Sequence, residues 1–346
     1  MLTGILVILG LALLVLGHEA GHFFAAKSFK MKVEEFGFGF PPRILFKKSK
    51  ETIYSLNLLP LGGFVRIAGE NERLLGDTGA LESYPPEERK KLFFNQAPWR
   101  RSVVILAGIT TNIFLGWVFF SGVLWIGSSN NLIVAGVQDG SPAEQAGVLS
   151  GDQILNFKTD AEFIRFGKEN GGQAVKIQIN REGEVKNIEV TPRVNPGPGQ
   201  GATGIILAGI TPRPIGTALK DGATMTWESI AQTFAGLVLI FNSLIQYGRL
   251  PEGIMGPVGI FSVAQESARV SIIFFVHLLA LISVNLAVLN LLPIPALDGG
   301  RFLLILIEKI KGSPVSRKIE IGINTTGLVL LLLLMLAVTV RDVMHL

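Results

Sequence analysis

Four apolar runs, at about residues 2–26, 102–126, 271–292 and 325–340, are each long enough to cross a bilayer as a helix, which takes about twenty predominantly apolar residues. Lipid offers backbone groups no water to bond, so runs of this kind must close their hydrogen bonds internally. With 49% hydrophobic and 17% charged residues in 346, the chain reads as a polytopic α-helical membrane protein with four transmembrane helices. It contains no cysteine, so any exposed domain rests on its own core. A net charge of +4 and the absence of a nucleic-acid motif point away from nucleic-acid partners and toward the lipid bilayer.

Charge orients the spans. Residues 27–101 carry 14 Lys and Arg against 9 Asp and Glu, residues 127–270 carry 11 against 13, and residues 293–324 carry 5 against 3. Basic loops stay in the cytoplasm, which puts 27–101 and 293–324 inside and 127–270 outside. With no basic n-region or small-residue cleavage site ahead of it, the first span is expected to be retained.

Inside that first span lies Gly17-His18-Glu19-Ala20-Gly21-His22. On a helix, His18, Glu19 and His22 project within about 100° of one another, on one face. Two imidazoles bind zinc, a third ligand comes from elsewhere, an open position holds water, and a glutamate takes that water's proton. Charge within a span is costly and marks function.

The segment 225–247 carries Glu228, Gln232, Asn242 and Gln246 among apolar residues at helical spacing. It reads as an amphipathic helix lying in the interface. Depth supports this: His18 is about 24 Å from the outer start of its span, in the cytoplasmic half. A further crossing at 225–247 would carry the third span's exit to the wrong face.

Residues Phe36 to Pro42 and Thr52 to Ile67 are apolar and aromatic around Pro60-Leu61-Gly62-Gly63, which predicts a membrane-associated β-hairpin at about 52–68. Its edge, with Ile53 and Leu56, is expected to add to an extended peptide; a hairpin merely resting on the bilayer is the alternative. In the second span, Gly108 permits close helix approach and Asn112 is a candidate for either interhelical bonding or substrate contact. From about 128 to 213, short strands and turns replace spans, with a hairpin around Arg181-Glu182-Gly183-Glu184. The phrase from Gly253 to Ile260 is expected to form a tight turn. The third span ends in Asn285 to Gly300, where prolines stop the helix. Asp298, the only acid between Glu266 and Glu308, must face protein, water or metal, and is the expected third zinc ligand.

These motifs resemble the site-2 protease family of intramembrane zinc metalloproteases, of the regulator-of-sigma-E protease type. H-E-x-x-H, the P-L-G-G-F hairpin, S-P-A-x-x-A-G-x-x-x-G-D-x-I-L (Ser141 to Leu155), G-P-V-G-I and N-L-L-P-I-P-x-L-D-G-G carry the resemblance over nearly the whole chain. It implies a membrane core at 1–126 and 271–346, a permuted PDZ (α+β) domain at 128–213 and an interfacial region at 214–270. It further implies Zn2+ on His18, His22 and Asp298, Glu19 as catalytic acid/base, and Asn290 and Pro293 beside the substrate. There is room for one PDZ domain, not two. The implied activity is cleavage of the transmembrane segment of a single-pass membrane protein, such as an anti-sigma factor, in the inner membrane, with the PDZ domain outside contacting substrate ends or outer domains. The rival from another class is a non-catalytic PDZ-bearing scaffold with a structural metal, which would close its fourth coordination position and need no Glu19.

Overall fold

The computed structural model describes residues 2–70, 84–127, 132–157, 159–181, 183–197, 200–208, 210, 212–248, 251, 254–313 and 315–344. Apart from a short helix at Pro86–Arg89 and a 3-10 turn at Phe93–Asn95, its elements in chain order are α1 (Leu2–Ser28), β1 (Val33–Ser49), β2 (Thr52–Ile67), α2 (Pro98–Ile126), β3 (Leu132–Val137), α3 (Pro142–Gln145), β4 (Gln153–Ile154), α4 (Asp160–Glu169), β5 (Val175–Arg181), β6 (Glu184–Val190), β7 (Ile205–Ala208), α5 (Ile215–Tyr247), α6 (Pro257–Val270), α7 (Ile272–Leu291), α8 (Asp298–Lys311) and α9 (Arg317–Met344). Two compact units arise: Met1–Phe120 with Gly222–Ala268 and Phe275–Leu346, and Ser121–Asp221 with Arg269–Phe274.

In the first unit, Val7 and Leu14 of α1 cluster with Phe275 and Leu279 of α7. Farther along both chains, His18 and His22 meet Asp298, so α1 and α7 run parallel. α2 runs against α7: Phe120 stacks on His277, and Ser283 Oγ donates to the Asn112 carbonyl at 2.8 Å. Gly108 lets α2 approach α1 as well, since a Cβ there would come within 2.4 Å of His22 Nε2.

Among the described residues five helices are long and apolar enough to cross a membrane, against the four counted from sequence. The fifth is α5, which begins at Ile215 rather than near 225. Met225 and Ile230 pack against the Phe120, Ala280 and Val284 cluster, and Thr233 Oγ1 donates to Asn285 Oδ1 at 2.6 Å, so α5 advances in the same sense as α7. The Gly/Pro phrase also departs from the expected turn. Pro257 opens α6, where its missing N–H costs nothing, and the N–H groups of Gly256 and Gly259 donate to Asp342 of α9 at 3.0 and 2.8 Å. Gly253 lies outside the described residues.

The hairpin is the largest correction. The chain reverses at Lys50-Glu51, between β1 and β2, and again between Asn57 and Gly63, since 53–56 runs parallel to 33–38 and 63–67 antiparallel to it; the turn at Pro60 to Gly63 is there, but its two arms are not bonded to each other and instead flank 33–38. The two long strands pair in stretches: 33–38 is bonded to 63–67 and to 53–56, while 52–57 is also bonded to 43–49. The order across this small sheet is therefore 63–67, 33–38, 52–57, 43–49. At its centre Glu35, 2% exposed, accepts from Arg43 Nε and Nη2 at 3.0 and 2.5 Å and from Ser55 Oγ at 2.7 Å. Burial pushes the Glu35 carboxyl up, but Arg43, Ser55 and Arg66 outweigh it and hold the group below the ordinary carboxylate range.

The second unit holds a five-stranded antiparallel sheet in the order β6-β5-β4-β3-β7. Val134, Ile154, Phe163, Ile177 and Ile179 are in its core. The Ser141 to Leu155 phrase has local reasons. Ser141 Oγ caps α3 by accepting from the Glu144 N–H at 3.2 Å, and buried Asp152 takes a forked pair of bonds from Arg181, both 2.7 Å. The turn residue Glu182 lies outside the described residues.

Candidate metal centre and active site

His18 and His22 sit one turn apart on α1, 8% exposed each. Asp298 opens α8, delivered by the loop after α7. That loop folds onto the helix start because residue 299 is glycine: a Cβ there would lie 2.2 Å from the Leu292 carbonyl. Asp298 Oδ2 is 3.0 Å from His18 Nε2 and 3.3 Å from His22 Nε2, and the two Nε2 atoms are 3.1 Å apart.

This donor set fits zinc. At metal–ligand distances of 2.0–2.1 Å, neighbouring corners of a tetrahedron are about 3.3 Å apart, close to all three separations. Asp298 Oδ2 is buried without a hydrogen-bond partner, and two imidazole nitrogens facing one another can share only one proton. A divalent cation satisfies all three donors.

The outer nitrogens are held. His22 Nδ1 lies 2.8 Å from the Val104 carbonyl, to which it donates, leaving Nε2 free to ligate. His18 Nδ1 lies 3.3 Å from Asn112 Nδ2, while Asn112 Oδ1 is buried without a partner. Rotating the amide by half a turn repairs both, because Oδ1 then accepts from Nδ1–H. Asn112, 0% exposed, thus faces the outer nitrogen of His18.

Glu19 lies beside the histidines on the same helix, and its Oε2 accepts the backbone N–H of Val65 at 2.9 Å. The hairpin therefore meets the site through its 63–67 edge. Ile53 and Leu56, expected at that edge, lie instead in stretches paired on both sides, where a strand has no free hydrogen-bonding groups to offer. Asn290 is half-buried near the end of α7 and Pro293 is exposed in the loop leading to Asp298; neither lines the cavity around the triad.

Phe64, Glu70, Val104 and Arg301 line that cavity and were not anticipated. Arg301 Nη1 donates to Glu70 Oε1 at 2.7 Å. The readable signal was Arg301 itself, a charged residue one turn after Asp298; its partner, 231 positions away, left none.

The sequence matches the profile of Peptidase family M50 over residues 6–334. The chain belongs to this family. A protein of Clostridium acetobutylicum with the provisional name zinc metalloprotease is 32% identical, covering 99% of this chain and 97% of its own length. The zinc metalloprotease RasP of Geobacillus kaustophilus is 28% identical, with 95% of each chain covered. The regulator of sigma-W protease RasP of Bacillus subtilis is 27% identical, with 96% of each covered. An M50 peptidase needs a metal and a proton-transfer group. Among the described residues, His18, His22 and Asp298 converge as a set of donors that could hold a metal, with the carboxylate of Glu19 alongside.

Proposed function

We propose that this M50 peptidase is a zinc-dependent intramembrane endopeptidase that cuts the transmembrane segment of single-pass membrane proteins, with an anti-sigma factor as the kind of substrate. The observation that carries this reading is the Glu19–Val65 bond: a carboxylate beside three metal donors is tied to the backbone of a sheet edge. Such an edge can hold an extended peptide by strand addition.

A transmembrane helix hides its carbonyls in its own hydrogen bonds, so it must be unwound before cleavage. In this reading the 63–67 edge receives the unwound stretch, with Asn290 and Pro293 bordering it. His18, His22 and Asp298 hold the zinc, which supplies polarisation of the scissile carbonyl and a lowered pKa for water. Glu19 takes the proton of the attacking water and returns it to the leaving amine. Asn112 and the Val104 carbonyl fix the imidazoles. The 128–213 domain, assigned as a single PDZ domain on its phrase and antiparallel sheet, acts outside the membrane as a selector of substrates. In the same reading α5 lies inclined in the outer interface, leaving four true spans.

The test is substrate accumulation. In a Glu19→Gln strain, a single-pass membrane protein should accumulate uncleaved and its cleavage should return with the wild-type chain. A cleavage pattern identical in both strains would overturn the proposal.

A further inference from the structure

Glu70 follows the 63–67 edge directly, its N–H donating to the Ile67 carbonyl at 3.1 Å. Arg301 stands on the first turn of α8, the helix that begins with Asp298. The Arg301–Glu70 pair, at 2.7 Å, therefore bridges the two walls of the cleft, from the peptide-pairing edge to the metal-bearing helix. Both residues line the cavity around the metal donors, and both also line a second cavity with Arg101, Glu308 and Glu320. The pair is a partition between the two. Arg101, 3% exposed in its side chain, is committed elsewhere, to Glu308 at 2.6 Å.

A substrate chain continues on both sides of the bond that is cut. An added strand lies about 4.8 Å from the edge it pairs with, whereas the bridge closes the cleft to hydrogen-bond distance at the end of that edge. A chain held along 63–67 cannot run on past residue 70 while the bridge stands. The two side chains are 32% and 12% exposed, so water is at hand to solvate them when they part.

We infer that the Arg301–Glu70 ion pair is a latch across the cytoplasmic end of the active-site cleft, which must open for a polypeptide to be threaded and its product released. This rests on the endopeptidase reading given above. The latch positions the walls and touches no reacting atom.

The chain has no cysteine of its own, so a Glu70→Cys/Arg301→Cys protein can be locked by a bis-methanethiosulfonate cross-linker, which spans the space left by the two long side chains, and released by reductant. Cleavage of a single-span substrate is compared between locked and open forms of this one protein, with each single-cysteine variant as the control for the cross-linker and zinc content measured throughout. The expected result is at least a tenfold loss on locking, reversed by reductant, at constant zinc. Equal rates in a fully locked protein would overturn the latch, as would a loss that tracks departing zinc. A second measurement needs no cross-link: a cysteine at Ile105, which lines both cavities, should react with a water-soluble maleimide at least tenfold faster when Glu70→Gln is added. An unchanged rate again overturns it. If the unmutated chain fails to cleave, or Glu19→Gln cleaves normally, the endopeptidase reading falls instead, and the maleimide result still judges the latch.

Discussion

The backbone N–H of Val65 donates to the carboxylate of Glu19 at 2.9 Å, joining a strand edge to the group proposed for proton transfer. In Glu19→Gln the amide oxygen still accepts from Val65, so the hairpin stays in place while the proton acceptor is gone. Cleavage should fall by about 10²- to 10⁴-fold at unchanged zinc content. Metal analysis and substrate cleavage on the same preparation check this, and near-wild-type activity would remove Glu19 from the chemistry.

Proline scanning separates the edge from the interior of the hairpin. Val65→Pro deletes an N–H that points out of the sheet, and edge positions tolerate proline; the protein should fold, keep zinc and lose turnover. Leu56→Pro falls where the strand is paired on both sides and should lower thermal stability and protease resistance instead. The reverse pattern would return the working edge to residues 53–56.

The convergence of His18, His22 and Asp298 was legible in sequence. His18 and His22 are fixed by helix periodicity, and Asp298 was the one acid in a long apolar stretch. The role of Asn112 was not legible: glue and substrate contact differ only in what faces the amide, and that depends on a helix 94 residues away. The chain does turn near Pro60 to Gly63, but the pairing of the two arms was not legible, for a related reason. Pro60 to Gly63 has strong turn chemistry, yet the long-range pairing of 33–38 on two sides decided which stretch became the edge. The start of α6 was missed because Gly256-Pro257 marks turns and helix starts alike, and its acceptor, Asp342, lies 86 residues on.

Asn112→Leu should weaken zinc binding by about 10- to 100-fold, the usual cost of losing a group that orients a ligand. Once saturated with zinc, the variant should show little change in KM. A raised KM with unaltered zinc affinity would restore Asn112 to substrate contact.

Asp342→Ala removes the acceptor at the start of α6. Two N–H groups at a helix start lose their partner, and the unfolding midpoint should fall, as it does when an N-cap is lost. Thermal unfolding in detergent measures it, and an unshifted midpoint would mean that water caps α6 as well as the carboxylate does.

Sidedness is testable because every introduced cysteine is a unique reporter in a chain without one. The charge pattern puts residues 27–101 inside and 127–270 outside, and the parallel course of α1 and α7 requires an even number of crossings between α2 and α7. That parity holds whether α5 lies in the interface or crosses and the chain returns before α6. Glu87→Cys and Glu184→Cys, both at exposed positions, should therefore react with an impermeant maleimide from opposite faces of sealed vesicles. A third reporter separates the two courses of α5. Tyr247→Cys, exposed at the end of α5, should label from the same face as Glu184→Cys if α5 lies in the outer interface, and from the Glu87→Cys face if α5 crosses. Labelling of Glu87→Cys and Glu184→Cys from one face would break the topology that puts His18 in the cytoplasmic half of the membrane.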